Sequence, residues 1–136
     1  MRIVLVTTGL LMGGGETQVA ALAAAYCNAG HTVAVLNLIG AAQLQLDPRA
    51  MLWNLNLHGK KPWTWLSGLV RAKALIAAFA PDVVHSHMLK ANLFARLLRV
   101  LCPFPRLVCS AHSLREGHAL WMRLYRATDR LADLTT

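Results

Sequence analysis

The sequence predicts an α/β fold, a parallel sheet with helices on both faces. Three observations carry this expectation. Strand and helix patterns alternate from end to end, the inner strands are continuously apolar, and a glycine cluster joins the first strand to the first helix. Continuously apolar strands are buried on both faces, and parallel strands need crossover helices that supply the cover.

The elements follow in order. Residues 2–7 form a buried strand, and residues 16–28 a helix with Val19, Leu22, Ala23 and Tyr26 on one face. Asn28-Ala29-Gly30 ends it, glycine supplying a left-handed cap. Residues 32–38 make a second apolar strand and residues 40–50 a loop. Trp53, Leu55 and Leu57 then alternate with Asn54, Asn56 and His58, the period of a half-buried edge strand. Lys60-Lys61-Pro62 separates it from a helix over 63–79, whose stripe is Trp65, Leu69, Ala72, Ile76 and Phe79 and which Pro81 stops. A strand over 82–86, a helix over 88–101 and a strand over 106–110 come next, with Pro103 and Pro105 in the turn. The last helix is expected over 118–133 with Leu120, Leu124, Ala127, Leu131 and Leu134 in line. Residues 132–136 read as the start of a further strand, so the architecture stops part-way.

Composition narrows the class. With 136 residues, 56% of them hydrophobic and 15% charged, the chain has one domain's worth of core and is not disordered. Residues 17–46 lack formal charge, but Gln18, Asn28, Gly30 and His31 interrupt them, so they do not read as a membrane span. Thr7, Thr8 and Gly9 likewise cut short any signal-peptide pattern at the start. Cys27, Cys102 and Cys109 form neither a disulfide framework nor a C-x-x-C pattern, and a reducing cytoplasm is the expected compartment. Net charge is +8, and seven arginines between Arg96 and Arg130 face only Glu116 and Asp129. Such an excess favours phosphates, nucleic acid or an anionic membrane face without choosing among them.

Met12-Gly13-Gly14-Gly15-Glu16-Thr17 carries the most chemistry. At a strand-to-helix junction, backbone N–H groups converge and the helix dipole favours an anion. Adjacent glycines also let a ligand approach the backbone. The spacing matches neither G-x-x-x-x-G-K-[ST] nor G-x-G-x-x-G. In a parallel sheet, ligands bind at the carboxyl ends of the strands near the switch in strand order. Ser86-His87 and Ser110-Ala111-His112-Ser113 end strands at that same edge, so three polar clusters converge there. His85 reads as packing. His87 shares its face, but the pair with His112 and Cys109 lacks the support a metal site needs, and no metal is expected. Lys90 opens its helix near the edge, either to meet an acidic acceptor or to snorkel over apolar surface.

Gly13-Gly14-Gly15-Glu16, Pro81-Asp82-Val83-Val84-His85-Ser86-His87 and Val108-Cys109-Ser110-Ala111-His112-Ser113 together resemble the N-terminal half of family 4 glycosyltransferases. The resemblance covers nearly the whole chain. It implies a Rossmann-like parallel sheet that forms one half of a GT-B fold, two such domains facing across a cleft. In that family the N-terminal domain mainly binds the acceptor. The C-terminal domain holds the nucleotide sugar and an E-x7-E motif, and transfer retains the anomeric configuration. By resemblance, Gly13, Gly14 and Gly15 approach the donor diphosphate and sugar, His112 contacts the transferred sugar as the catalytic residue, and Ser113 stands beside it. His87 and Lys90 fall on the acceptor side. The nucleotide sugar is a substrate, and no cofactor is implied. Nothing between residues 1 and 136 supplies the second domain, so the resemblance implies a fragment, inactive alone, acting in cytoplasmic polysaccharide or glycolipid assembly.

Other functions fit less well. A nicotinamide-dependent enzyme expects a carboxylate after the second strand, whereas Asn37-Leu38-Ile39-Gly40 stands there and Asp47 is the first carboxylate beyond. A stand-alone Rossmann-like binding module is the alternative that accounts for a missing catalytic half. Nucleic-acid binding has only the charge in its favour. Arg123, Arg126 and Arg130 recur on one helical side with Trp121 and Tyr125 across the stripe, which suggests peripheral contact with an anionic membrane.

Overall fold

Every strand pairing in the sheet is parallel. The computed structural model describes residues 1–8, 14–39, 46–57, 62–110 and 119–135. Strands β1 (Arg2–Thr7), β2 (Thr32–Ile39), β3 (Met51–Leu57), β4 (Val83–His87), β5 (Arg106–Ser110) and β6 (Leu134–Thr135) lie in the order β3-β2-β1-β4-β5-β6. Helices α1 (Gly14–Asn28), α2 (Pro62–Phe79), α3 (Leu89–Leu101) and α4 (Ala119–Ala127) accompany them, with a 3-10 turn at Asp129–Leu131. Because β1 pairs with β2 on one side and β4 on the other, the strand order switches beside β1.

Helices cover both faces, as the apolar runs require. On one face Val19, Ala23 and Cys27 of α1 bury against Ile3, Leu5, Val33 and Val35. On the other, Leu69, Ala72 and Ile76 of α2 and Ala91, Phe94, Ala95 and Leu98 of α3 pack on Val4, Val6, Leu36, Val84 and Leu107. Full burial of each valine, leucine, isoleucine or phenylalanine among them stabilises the fold by about 1.5–3 kcal/mol.

Local chemistry sets the boundaries. Gly30 has φ +90°, and His31 N–H donates to Tyr26 O at 3.0 Å while Gly30 N–H donates to Cys27 O at 3.1 Å, a Schellman closure of α1. At the end of α2 the left-handed position is filled by Ala80, φ +51°, ahead of Pro81. β3 is the edge strand its alternation predicts, with Leu55 and Leu57 buried and Asn54 and Asn56 exposed. One extra residue enters β3 between its pairings Asn37–Asn54 and Ile39–Leu57, and Asn56 takes φ +52° there. The final segment is indeed a strand, since β6 pairs with β5.

The last helix departs from expectation. α4 ends at Ala127 rather than running to 133. The Arg96 guanidinium donates to Tyr125 O at 2.6 Å, occupying the carbonyl that the next helical N–H would use. Thr128 Oγ1 also donates back to Leu124 O at 2.8 Å. The expected apolar line does not face the core. Leu124 is 44% and Leu134 54% exposed, and Tyr125 turns inward instead. Leu120 lies in the part of α4 whose side chains are not described.

Candidate functional site

The carboxyl ends of β1, β4 and β5 meet at one edge, and the structure places Gly14 and Gly15 there as the first residues of α1. His87 ends β4 at the same level, paired with Thr7 on one side and Ser110 on the other. Lys90 is exposed in the first turn of α3. Gly13, His112 and Ser113 lie outside the described residues; the last two follow Ser110 by two and three positions.

The strand alternation sorts the edge into two faces. His85 and His87 share the α1 face with Leu5 and Thr7, their rings 4.1 Å apart and tilted by 40°. His87 is 1% exposed, and His85 Nε2 lies 2.8 Å from Ser110 Oγ. His85, read as packing, therefore also ties β4 to β5. Among the described residues, no three metal-ligating side chains stand close enough together to hold an ion.

The opposite face carries a network that sequence reasoning did not find. Ser86 Oγ donates to Asn92 Oδ1 at 2.6 Å and lies 3.3 Å from Cys109 Sγ. Burial pushes the Cys109 thiol up, so it stays protonated. Asn92 Nδ2 donates to Ser110 O at 3.1 Å and to the Tyr125 hydroxyl at 3.0 Å. Burial likewise raises the Tyr125 phenol. One turn on, Arg96 is fully buried with its guanidinium 4.0 Å over the Tyr125 ring. Its Nη1 also meets Thr128 Oγ1 at 3.1 Å, and its Nη2 meets Asp129 Oδ1 at 3.1 Å and Thr135 Oγ1 at 3.2 Å. The signal was available: Asn92 and Arg96, spaced i and i+4, interrupt the buried face of an otherwise apolar helix.

This corrects the reading of charge. Arg96 and Arg99 belong to internal structure, Arg99 reaching Asp133 at 2.8 Å and Leu131 O at 2.9 Å. Arg123 and Arg126 remain exposed on α4, while Arg130 sits in the 3-10 turn. Residue 88 joins the two faces. Met88 has φ +76° and ψ 158°, a conformation close to glycine-only, and its N–H donates to Ser110 O at 3.0 Å. A shallow depression of about 370 Å³ lined by Met1, Arg2, Thr32, Ala80 and Asp82 lies at the opposite, amino edge of the sheet.

The glycosyl transferase 4-like domain family matches residues 13–134. The chain belongs to that family. Its sheet is a GT-B Rossmann-like half, as structural neighbours bear out. Sucrose-phosphate synthase from Thermosynechococcus elongatus superposes with a TM-score of 0.81 at 17% identity, covering 98% of this chain and 41% of that one. MurG from Acinetobacter baumannii gives 0.76 at 14%, covering 98% and 40%. A UDP-GlcNAc 2-epimerase from Methanocaldococcus jannaschii gives 0.70 at 11%, covering 99% and 38%. The chain thus spans about two fifths of these proteins' lengths, and at such identities the likeness concerns the fold. No curated protein matches by sequence. Within the described residues, no helix of this glycosyl transferase 4-like domain is long and apolar enough to cross a membrane.

Proposed function

We propose that this domain is the acceptor-side half of a retaining glycosyltransferase that moves a sugar from a nucleotide-sugar donor to a glycan or lipid-linked acceptor. The observation supporting it most is that the family match coincides with the start of α1, His87 and Ser110 standing at the carboxyl edge of the sheet, beside the strand switch. The start of α1, at Gly14 and Gly15, offers backbone donors to the charge developing on the leaving diphosphate. His112 hydrogen-bonds a hydroxyl of the transferred sugar, with Gly13 and Ser113 beside it. His87 and Lys90 serve the acceptor side. In the complete enzyme a second Rossmann-like domain brings the E-x7-E motif.

The coding region downstream of the Thr136 codon tests the pairing. An open frame with a second such domain supports it, whereas an immediate stop codon favours a stand-alone binding module. Joined to that domain, the protein is expected to release nucleoside diphosphate from one member of a panel of UDP- and GDP-sugars when given acceptor. NMR of the product's anomeric centre reads retention directly. His112→Ala is expected to lower turnover about 100-fold or more with little change in Tm. Unchanged turnover at saturating donor removes His112 from the site.

Peripheral contact with the anionic cytoplasmic face of a membrane is part of the same proposal. The sequences of α2, α3 and α4 contain no carboxylate. Their exposed surfaces combine Trp63, Leu66, Val70, Leu97 and Val100 with Lys73, Lys90, Arg123 and Arg126. Co-sedimentation with phosphatidylglycerol vesicles, and not with phosphatidylcholine vesicles, is expected. Equal failure with both at low salt rules the contact out.

A further inference from the structure

We infer that Asn92 is a positioning residue for the carboxyl edge of the sheet, acting through the Ser110 carbonyl. The inference deepens the glycosyltransferase reading and rests on it for the claim that this edge meets substrate. Its structural content stands separately.

Asn92 is fully buried, and three side-chain contacts use both ends of its carboxamide. Ser86 holds the oxygen, and the two N–H groups go to Ser110 O and the Tyr125 hydroxyl. With both ends held, the amide has one orientation. Ser110 O accepts from Asn92 Nδ2 and from Met88 N–H, and Asn92 N–H donates back to Met88 O at 2.8 Å. Met88, Asn92 and Ser110 therefore clip the β4–α3 turn to the last residue of β5. Met88 N–H → Ser110 O is the last rung of the β4–β5 ladder, and just beyond it Met88 takes a backbone conformation costing about 1–3 kcal/mol where the chain turns into α3. With the Ser110 peptide fixed, its hydroxyl meets His85 on the opposite face. A packing role for Asn92 would need only a side chain of the right volume. The arrangement uses both donors of the amide, one on the carbonyl of the last residue of β5 and one on the Tyr125 hydroxyl of α4.

The test uses the chain carrying ¹³C-labelled histidine, with His85→Gln to assign the His85 ring resonance. Asn92→Ala and Asn92→Asp are both expected to displace that resonance, since aspartate keeps the acceptor for Ser86 and lacks both donors. Tyr125→Phe, which removes a single hydroxyl and leaves the ring under Arg96, is expected to displace it by less. His31, at the amino edge beside the Met1 amine, stays put in all of them. Leu69→Ala, a destabilised control touching none of this network, moves neither. An unmoved His85 in folded Asn92→Ala, or in Tyr125→Phe should the alanine variant fail to fold, overturns the inference. So does a displacement in Leu69→Ala as large as that in Asn92→Ala. In the two-domain protein, Asn92→Ala is expected to lower kcat/KM at least tenfold more than Leu69→Ala. Absence of sugar transfer in the wild type would sink the function and leave the His85 result to judge the positioning.

Discussion

The two halves of the sheet are held by different forces. Around β1, β2 and α1 the cohesion is apolar, a cluster of Ile3, Leu5, Val19, Ala23, Cys27, Val33 and Val35. At the other end α3 and β5 share the second apolar cluster, but α4 and β6 are tied on by polar contacts, those of Arg96 with Tyr125, Thr128, Asp129 and Thr135 and that of Arg99 with Asp133. β6 has two residues, and both lie outside the apolar clusters. Apolar burial is non-directional and tolerates small shifts, whereas hydrogen bonds fix geometry and fail when one partner goes. The half that ends the chain is therefore placed more exactingly and held by fewer groups.

Replacing the hub is expected to have the largest effect. Arg96→Ala leaves a cavity and removes the hydrogen bonds to Tyr125 O, Thr128, Asp129 and Thr135 together, at a cost of about 3–5 kcal/mol. Hydrogen exchange should show the loss falling first on residues 119–135, with β1 and β2 retaining protection. Leu5→Ala, at about 2–5 kcal/mol, should instead lower protection throughout the sheet. Equal loss of protection in β1 and α4 on Arg96→Ala would mean that the two halves are one cooperative unit, and the contrast would fail.

The same contrast explains what the sequence made legible. Periodicity placed β1, β2, β4, β5 and the buried stripe of α2, because apolar spacing reports directly on which face is covered. The edge position of β3 followed from Trp53, Leu55 and Leu57 alternating with asparagines. The carboxyl edge was legible too, since parallel topology sends strand-terminal residues to one place. The Arg96 network was not. Seven arginines look alike by charge alone; the i, i+4 spacing of Asn92 and Arg96 on the buried face of α3 marks Arg96 as inward, but only the fold shows its partners on α4 and β6. Extending the last helix to 133 failed for the same reason, as its stop is imposed by a side chain of α3.

Backbone strain gives a smaller effect of opposite sign. Met88→Gly relieves a conformation close to glycine-only and is expected to raise stability by about 1–2 kcal/mol, less the added chain entropy of glycine. Ala80→Gly, at φ +51°, should gain about 1 kcal/mol or less. The two sites separate strain at the clipped β4–α3 turn from strain at an ordinary helix end. Met88→Gly should stabilise the chain by more than Ala80→Gly and, because glycine keeps the same backbone conformation and the N–H to Ser110 O, should leave the His85 resonance in place. Urea midpoints and the histidine spectra read both quantities on the same samples.

The smallest effect is the acid limb, and it too divides between the halves. In the first half, Arg49 beside Asp47 holds that carboxyl down to about 2 by side-chain and backbone hydrogen bonds. In the second, Leu107 N–H and then Arg99 hold Asp133 below the ordinary carboxylate range. A depressed folded-state pKa means that the unfolded chain binds the proton first. The associated stability is present above the ordinary value of 3.8 and is lost as pH falls toward the depressed one. Each pair has one partner about half exposed, Arg49 in the first and Asp133 in the second, so screening keeps each contribution modest. The deeper depression belongs to Asp47, so between pH 4 and 2 Asp47→Asn should flatten the fall in stability more than Asp133→Asn. Asp133 differs in where its effect falls, because its carboxylate accepts Leu107 N–H and ties β5 to the segment leading into β6. Should Asp133→Asn prove the flatter of the two, the polar half would carry more of the acid limb than its hydrogen bonds suggest.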